Sequence, residues 1–122
     1  MSGFGKKKKE NKGSSKKLRK LSEKDLKAQS INNHIKGNLD EAEKGYIAFL
    51  NNGYSDADII SNYALICEEK GENDKAIKLY KKCAKSYPNH IYSKLNLSFL
   101  YYKLNNLEKA EILIEEAIRL NP

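Results

Sequence analysis

Apolar positions along this chain recur at helical spacing, and the recurrence itself repeats every 34 residues. Gly37-Asn38-Leu39-Asp40-Glu41-Ala42 returns as Gly71-Glu72-Asn73-Asp74-Lys75-Ala76 and again as Asn105-Asn106-Leu107-Glu108-Lys109-Ala110. Ser30, Ala64 and Ser98 keep the step with small side chains, and Tyr46, Tyr80 and Ile114 keep it with large ones. Pro88 is followed at the same interval by Pro122. A period of this length marks stacked supersecondary units, each burying its apolar face against its neighbours. Within each period the pattern predicts two helices. The first helices are expected at residues 23–36, 56–70 and 90–104, and the second at 39–51, 74–86 and 107–120.

The punctuation agrees with that division. Gly37, Gly71 and Asn105 tolerate left-handed backbone and would close the first helices, while Gly53 and Pro88 would stop two of the second ones. Ser22 with Asp25 resembles a capping box, and Leu21 can staple onto Leu26. Asn38 or Asp40, Asn73 and Asn106 are the expected caps of the second helices. Connections of about two to five residues force neighbouring helices antiparallel.

Composition sharpens the class. The chain contains no Val, Thr or Trp, which removes much of the usual material of strands and favours an all-helical fold. At 122 residues it has the length of one domain, able to bury roughly two-thirds of its unfolded surface. Charge is segregated. Residues 1–24 hold nine Lys, one Arg and two Glu, for +8, and residues 25–122 hold thirteen basic and fourteen acidic side chains, for −1. The net +7 therefore belongs to the tail, and the remainder is nearly neutral. Residues 1–21, with Lys6, Lys7, Lys8, Lys9, Lys16, Lys17, Arg19 and Lys20 among Gly and Ser, read as a disordered basic tail ahead of a folded region over 22–122.

Candidate chemistry is sparse. Cys67 and Cys83 are too few for a disulfide framework and are expected as buried thiols in a reducing, cytoplasmic setting. A mutual disulfide is the less favoured alternative. No apolar run reaches the length of a signal peptide or membrane span. His34 and His90 lack metal-ligand companions at helical spacing and read as surface residues. The Cys and His residues offer no nucleophile–base arrangement in the sequence, and no glycine-rich phosphate loop is present. Glu68-Glu69 and Glu115-Glu116 read as solvated face. An enzyme, a cofactor and a metal site are not expected.

These residues resemble the tetratricopeptide repeat, a helix–turn–helix unit of 34 residues. Residues 91–122 fit through Leu97, Ser98, Tyr101, Ala110, Ile114, Ala117 and Pro122. Residues 57–90 fit through Ile60, Tyr63, Ala64, Gly71, Ala76, Tyr80, Cys83 and Pro88. Residues 23–56 keep Leu26, Ser30, Gly37, Ala42 and Tyr46 but depart at Asn33, Phe49 and Tyr54. The resemblance implies a right-handed superhelical array of three antiparallel helix pairs, an α-solenoid, in which Ala42, Ala76, Ala110, Tyr46 and Tyr80 are core.

It also implies where a partner would bind, because the family's first helices line a concave groove. Mapped onto this chain, the groove residues are Lys27, Ile31, Asn62, Leu65, Tyr92, Asn96, Phe99 and Tyr102. Asn62 and Asn96 match a slot where the family holds peptide backbone, and a side-chain amide can both donate and accept there. The aromatic residues of the third repeat suit binding anchors; equally, they suit burial under a further helix. Repeats that clamp the terminal carboxylate of chaperone tails need cations on the third repeat. Lys27 and Asn62 fit that pattern, but Ile31, Tyr92 and Asn96 do not, so a carboxylate would lack its charge-assisted bonds.

The expected function is a protein-interaction adaptor or scaffold that takes a peptide or protein partner. Two alternatives stand beside it. The tail suits nucleic acid or another anionic surface, although it lacks interleaved stacking residues and equally suits a solubilising role. The chain start also resembles some marine bacterial repeat proteins, in which such arrays precede glycosyl- or sulfotransferase domains. The apolar load of the last pair predicts an uncapped end, available for self-association or for a following segment.

Overall fold

The computed structural model describes residues 17–18 and 20–121. Most of the basic tail lies outside them, including Lys6, Lys7, Lys8, Lys9, Lys16 and Arg19. Lys17 and Lys20 are exposed, and the Lys20 amide donates to the Lys17 carbonyl at 3.3 Å. Six helices follow: α1 (Glu23–Ile35), α2 (Leu39–Asn51), α3 (Ala57–Glu69), α4 (Asn73–Ser86), α5 (Ile91–Lys103) and α6 (Leu107–Leu120). There is no strand among the described residues. The chain divides between Ser55 and Asp56 into two compact units. The first holds the α1–α2 pair and the second the α3–α4 and α5–α6 pairs.

One junction recurs three times. After α1, Gly37 takes φ 82°, its amide donates to the His34 carbonyl at 3.0 Å, and the Asn38 amide donates to the Asn33 carbonyl at 2.9 Å. After α3 the same bonds run from Gly71 (φ 81°) to Glu68 and from Glu72 to Cys67. After α5 they run from Asn105 (φ 62°) to Tyr102 and from Asn106 to Tyr101. This is the Schellman pattern, which satisfies the last carbonyls of a helix while the left-handed residue turns the chain away. Each of these second helices begins two residues after its left-handed residue.

Caps at the helix starts are more varied. Ser22 Oγ accepts the Asp25 amide at 3.1 Å, as the sequence suggests. Asp56 Oδ1 accepts the Ile59 amide at 3.1 Å, and Asn106 Oδ1 accepts the Lys109 amide at 3.4 Å. Asn38 occupies a cap position without a side-chain bond to the helix amides, its Nδ2 donating instead to Asn33 Oδ1 at 3.4 Å. Asn73 corrects the expectation: it is the first residue of α4, and Glu72 stands at the cap. The Schellman bond that uses the Glu72 amide places the helix start one residue earlier than the side-chain chemistry suggests.

In the first unit Leu26, Ala42, Tyr46 and Phe49 are fully buried. Phe49 packs on Tyr54 with ring centroids 5.3 Å apart. The helices approach closely at Gly45, where an added methyl carbon would lie 2.0 Å from Ser30 Oγ and 2.9 Å from Ser30 Cβ. Ser30 is itself held there, because its hydroxyl donates to the Leu26 carbonyl at 2.7 Å. Glycine is thus required inside α2 by its neighbour, against its low helix propensity. In the second unit the core is Ile59, Ile60, Ile66, Cys67, Ala76, Tyr80, Cys83 and Leu100, with Ser98 and Ala110 in the small slots. Ile114, in the slot of Tyr46 and Tyr80, is 40% exposed, because no described element packs on that side of α6.

Gly45→Ala is expected to lower stability by about 1–3 kcal/mol through overpacking, even though alanine is the better helix former. Thermal unfolding of the variant checks this, and an unchanged or raised Tm would contradict the close-approach account.

Candidate partner-binding surface

Helix α5 presents an apolar stripe to solvent. Tyr92, Phe99 and Tyr102 are 70%, 59% and 67% exposed, and Leu95 and Asn96 between them are half-buried. Their spacing of three, four and seven residues places them on one face of the helix. The opposite face carries the buried Leu97, Leu100 and Tyr101, so α5 is anchored on one side and apolar on the other. Helix α3 packs beside it with Asn62 and Leu65 half-buried. Lys27 and Ile31, both half-buried, lie on α1 in the other unit. The structure therefore brings six of the eight expected groove residues onto two neighbouring helices of one unit.

Two polar links fix α5 to α3, one at each end. At the start, His90 Nδ1 accepts the Ser93 amide at 3.2 Å, so His90 itself caps α5. That leaves Nε2 carrying the proton, and it donates to Asp58 Oδ1 at 3.0 Å. At the end, the Lys103 ammonium donates to Glu68 Oε2. The other oxygen of Glu68 accepts the Tyr80 hydroxyl at 3.2 Å, which extends the link to α4. Burial, reinforced by the Glu68 carboxylate, pushes the Tyr80 hydroxyl pKa upward, so it stays a donor. In the first unit His34 Nδ1 and Tyr46 Oη lie 2.9 Å apart, the same exchange between the same slots.

Three sequence readings are corrected by these bonds. His90 is not a surface residue: its side chain is only 14% exposed and caps a helix. His34 is half-buried against Tyr46. Glu68 is not solvated face but an 11% exposed hub between three helices. A signal for two of them was present, since Tyr46 and Tyr80 each have a polar residue twelve positions earlier.

The fold also assembles what the sequence did not show, a Cys83–His90–Asp58 series in the order of a nucleophile, base and orienting acid. Cys83 Sγ lies 3.8 Å from His90 Nδ1. The geometry is structural in detail. Nδ1 is occupied by the Ser93 amide, and the thiol points at the Ala57 carbonyl at 3.4 Å. Cys83 is fully buried, and burial pushes its thiol pKa up, with Asp58 and Asp56 adding to the shift. A thiol held protonated is a poor nucleophile. Cys67 is likewise buried and outside any disulfide.

Folded protein at pH 8 is accordingly expected to leave both thiols unmodified by a disulfide reagent, with both reacting once urea unfolds the chain. Stoichiometric modification of one thiol in the native state would contradict this placement.

Comparison with known proteins follows the same lines. A sequence model of the tetratricopeptide repeat matches residues 69–122. No curated protein sequence matches the chain. Its fold is similar to that of PcrH, solved in complex with the chaperone binding region of PopB. That likeness has a TM-score of 0.75 and 22% identity, covering 83% of this chain and 84% of that one. It is also similar to MamA, at TM-score 0.74 and 19% identity, covering 81% of this chain and 58% of that one. An Arg-to-Glu mutant of MamA gives a TM-score of 0.79 at 16% identity, over 98% of this chain and 89% of that one. At these identities the likeness is one of fold. Among the described residues, no helix is long and apolar enough to cross a membrane.

Proposed function

We propose that this chain, which matches the tetratricopeptide repeat over residues 69–122 and shares the fold of PcrH and MamA, is a protein-interaction module whose partner segment lies along α5 and α3. The observation that carries this reading is the exposure of Tyr92, Phe99 and Tyr102 in one stripe on a helix whose position is fixed at both ends. Large apolar side chains held outward on a rigid element cost little ordering on binding, which suits them as anchors. Asn62 and Asn96 supply donors and acceptors beside them for the backbone of an extended or helical peptide. PcrH, whose fold is similar, was solved with a region of another protein, which supports the same use here. The two buried cysteines, neither in a disulfide, fit a cytoplasmic setting.

The charge around the stripe shapes the partner. Lys103 and Asp58 are engaged with Glu68 and His90, leaving an apolar and amide surface with no strong field of either sign. The partner segment is therefore apolar and hydrogen-bonding rather than highly charged.

A random peptide library displayed on phage and panned against the full chain tests the proposal. Phe99→Ala is expected to weaken the selected peptides by about 2 kcal/mol, the scale of an aromatic anchor. Asn62→Ala with Asn96→Ala should cost about 1 kcal/mol per lost hydrogen bond. Calorimetric titration measures both. Binding that survives these changes but vanishes on deleting residues 1–20, with steep salt dependence, would move the function to the tail.

A further inference from the structure

Helix α6 is exposed on two sides, and the two sides are electrostatic opposites. On one side Leu107, Ile114 and Ile118 form a stripe, 54%, 40% and 59% exposed. Glu108, Glu111 and Glu115, all exposed, border it at helical spacing. On the other side α6 walls a furrow whose opposite wall is α4 and whose floor is the buried face of α5. The furrow has two adjoining compartments of about 270 Å³ and about 250 Å³ that share Lys94 and Glu116. Its floor is apolar, through Leu97 and Tyr101, with Ile112 and Leu113 beside them. Its charges are Lys81, Lys94, Lys109 and Arg119 against the single Glu116.

We propose that the acidic stripe of α6 in one copy of this chain docks into the basic furrow of a second copy. Three features match. Sign matches, since the stripe is bordered by three carboxylates and the furrow by four cations against one acid. Apolar surface matches, with Leu107, Ile114 and Ile118 set against the exposed Ile112 and Leu120 and the half-buried Leu113 of the furrow. Length matches too: the stripe spans residues 107–118 and the furrow wall 109–120, each roughly 16 Å at the rise of an α-helix. Lys94 is the recognition point. Its side chain is 11% exposed and lies 3.7 Å from Glu116, beyond hydrogen-bond length, so an incoming carboxylate can join or replace Glu116. Lys109 is held at the rim over the Tyr101 ring, 5.4 Å from its centroid.

Stripe and furrow are different surfaces, so the contact is heterologous, and each added copy leaves one of each unfilled. Such a contact builds rings where its rotation closes and open filaments where it does not, rather than two-fold dimers. It is independent of the α5 stripe and stands or falls separately from the partner-binding reading.

Sedimentation velocity on the full chain over a hundredfold concentration range tests the proposal. The natural chain is expected to sediment faster with concentration, in low salt more than in high. Lys81→Glu with Lys109→Glu, and separately Glu111→Lys with Glu115→Lys, should each leave a monomer, because stripe and furrow then carry like charge. All four positions are exposed, and circular dichroism confirms that each variant is folded. Mixed together, the two variants should associate at least tenfold more strongly than either alone. From the natural +7, four-unit changes give net charges of +3 and +11, so bulk attraction cannot produce that rescue. A natural chain that stays monomeric throughout, or variants that fail to rescue each other, would overturn the proposal.

Discussion

The structure depends on a backbone constraint, the left-handed residue that ends the first helix of each pair. At Gly37, Gly71 and Asn105 the chain leaves its helix with positive φ, and two bonds close back onto the last turn. Left-handed geometry is costly for residues with a Cβ and nearly free for glycine, with asparagine between them. The spacing of these residues sets the lengths of the helices and the point at which each chain reversal occurs. With reversal fixed, the short connections leave the second helix no choice but to return along the first. The small residues Ser30, Ala42, Ala64, Ala76, Ser98 and Ala110, all buried, then allow the helices to close.

Polar bonds refine what the junctions establish. The twelfth residue of each first helix lies in the slot opposite the large residue of the second helix, and in the first two pairs the facing groups are His34 with Tyr46 and Glu68 with Tyr80. In the third pair the slots hold Tyr102 and Ile114, which form no such bond and are both substantially exposed. The freed Tyr102 joins the outward stripe of α5, and Ile114 joins that of α6. The lost internal pairing thus adds one large side chain to the exposed apolar surface of each helix of the last pair. The proposed binding surface and the departure from the repeat coincide at Tyr102.

The helices and their junctions were legible because period, glycine chemistry and apolar spacing are local signals. Predicted and observed helix bounds differ by a residue at most at each end. Gly45 was not legible, since its need arises from Ser30 on another helix. The roles of His90, Asp58 and Lys103 were hidden for the same reason, their partners lying about 32 to 35 residues away. The family pattern left the aromatics of α5 open between a groove and burial under a further helix, and the basic furrow had no signal at all, because Lys81, Lys94 and Lys109 share no helix and no sequence interval. Lys94 is the sharpest case: a lysine 8% exposed contradicts the ordinary expectation that its charge stays in water, and only its neighbour Glu116 explains it.

The claim that backbone handedness at the junction governs this fold can be tested by chemical synthesis with residue 71 as L-alanine or D-alanine. No atom lies within 4 Å of the position a methyl group would take at Gly71, so packing does not enter and only the backbone preference differs. The account predicts that L-alanine lowers stability to urea by about 1 kcal/mol or more, while D-alanine, which prefers positive φ and restricts the unfolded chain, matches or exceeds glycine. Equal stabilities for the two enantiomers would contradict it.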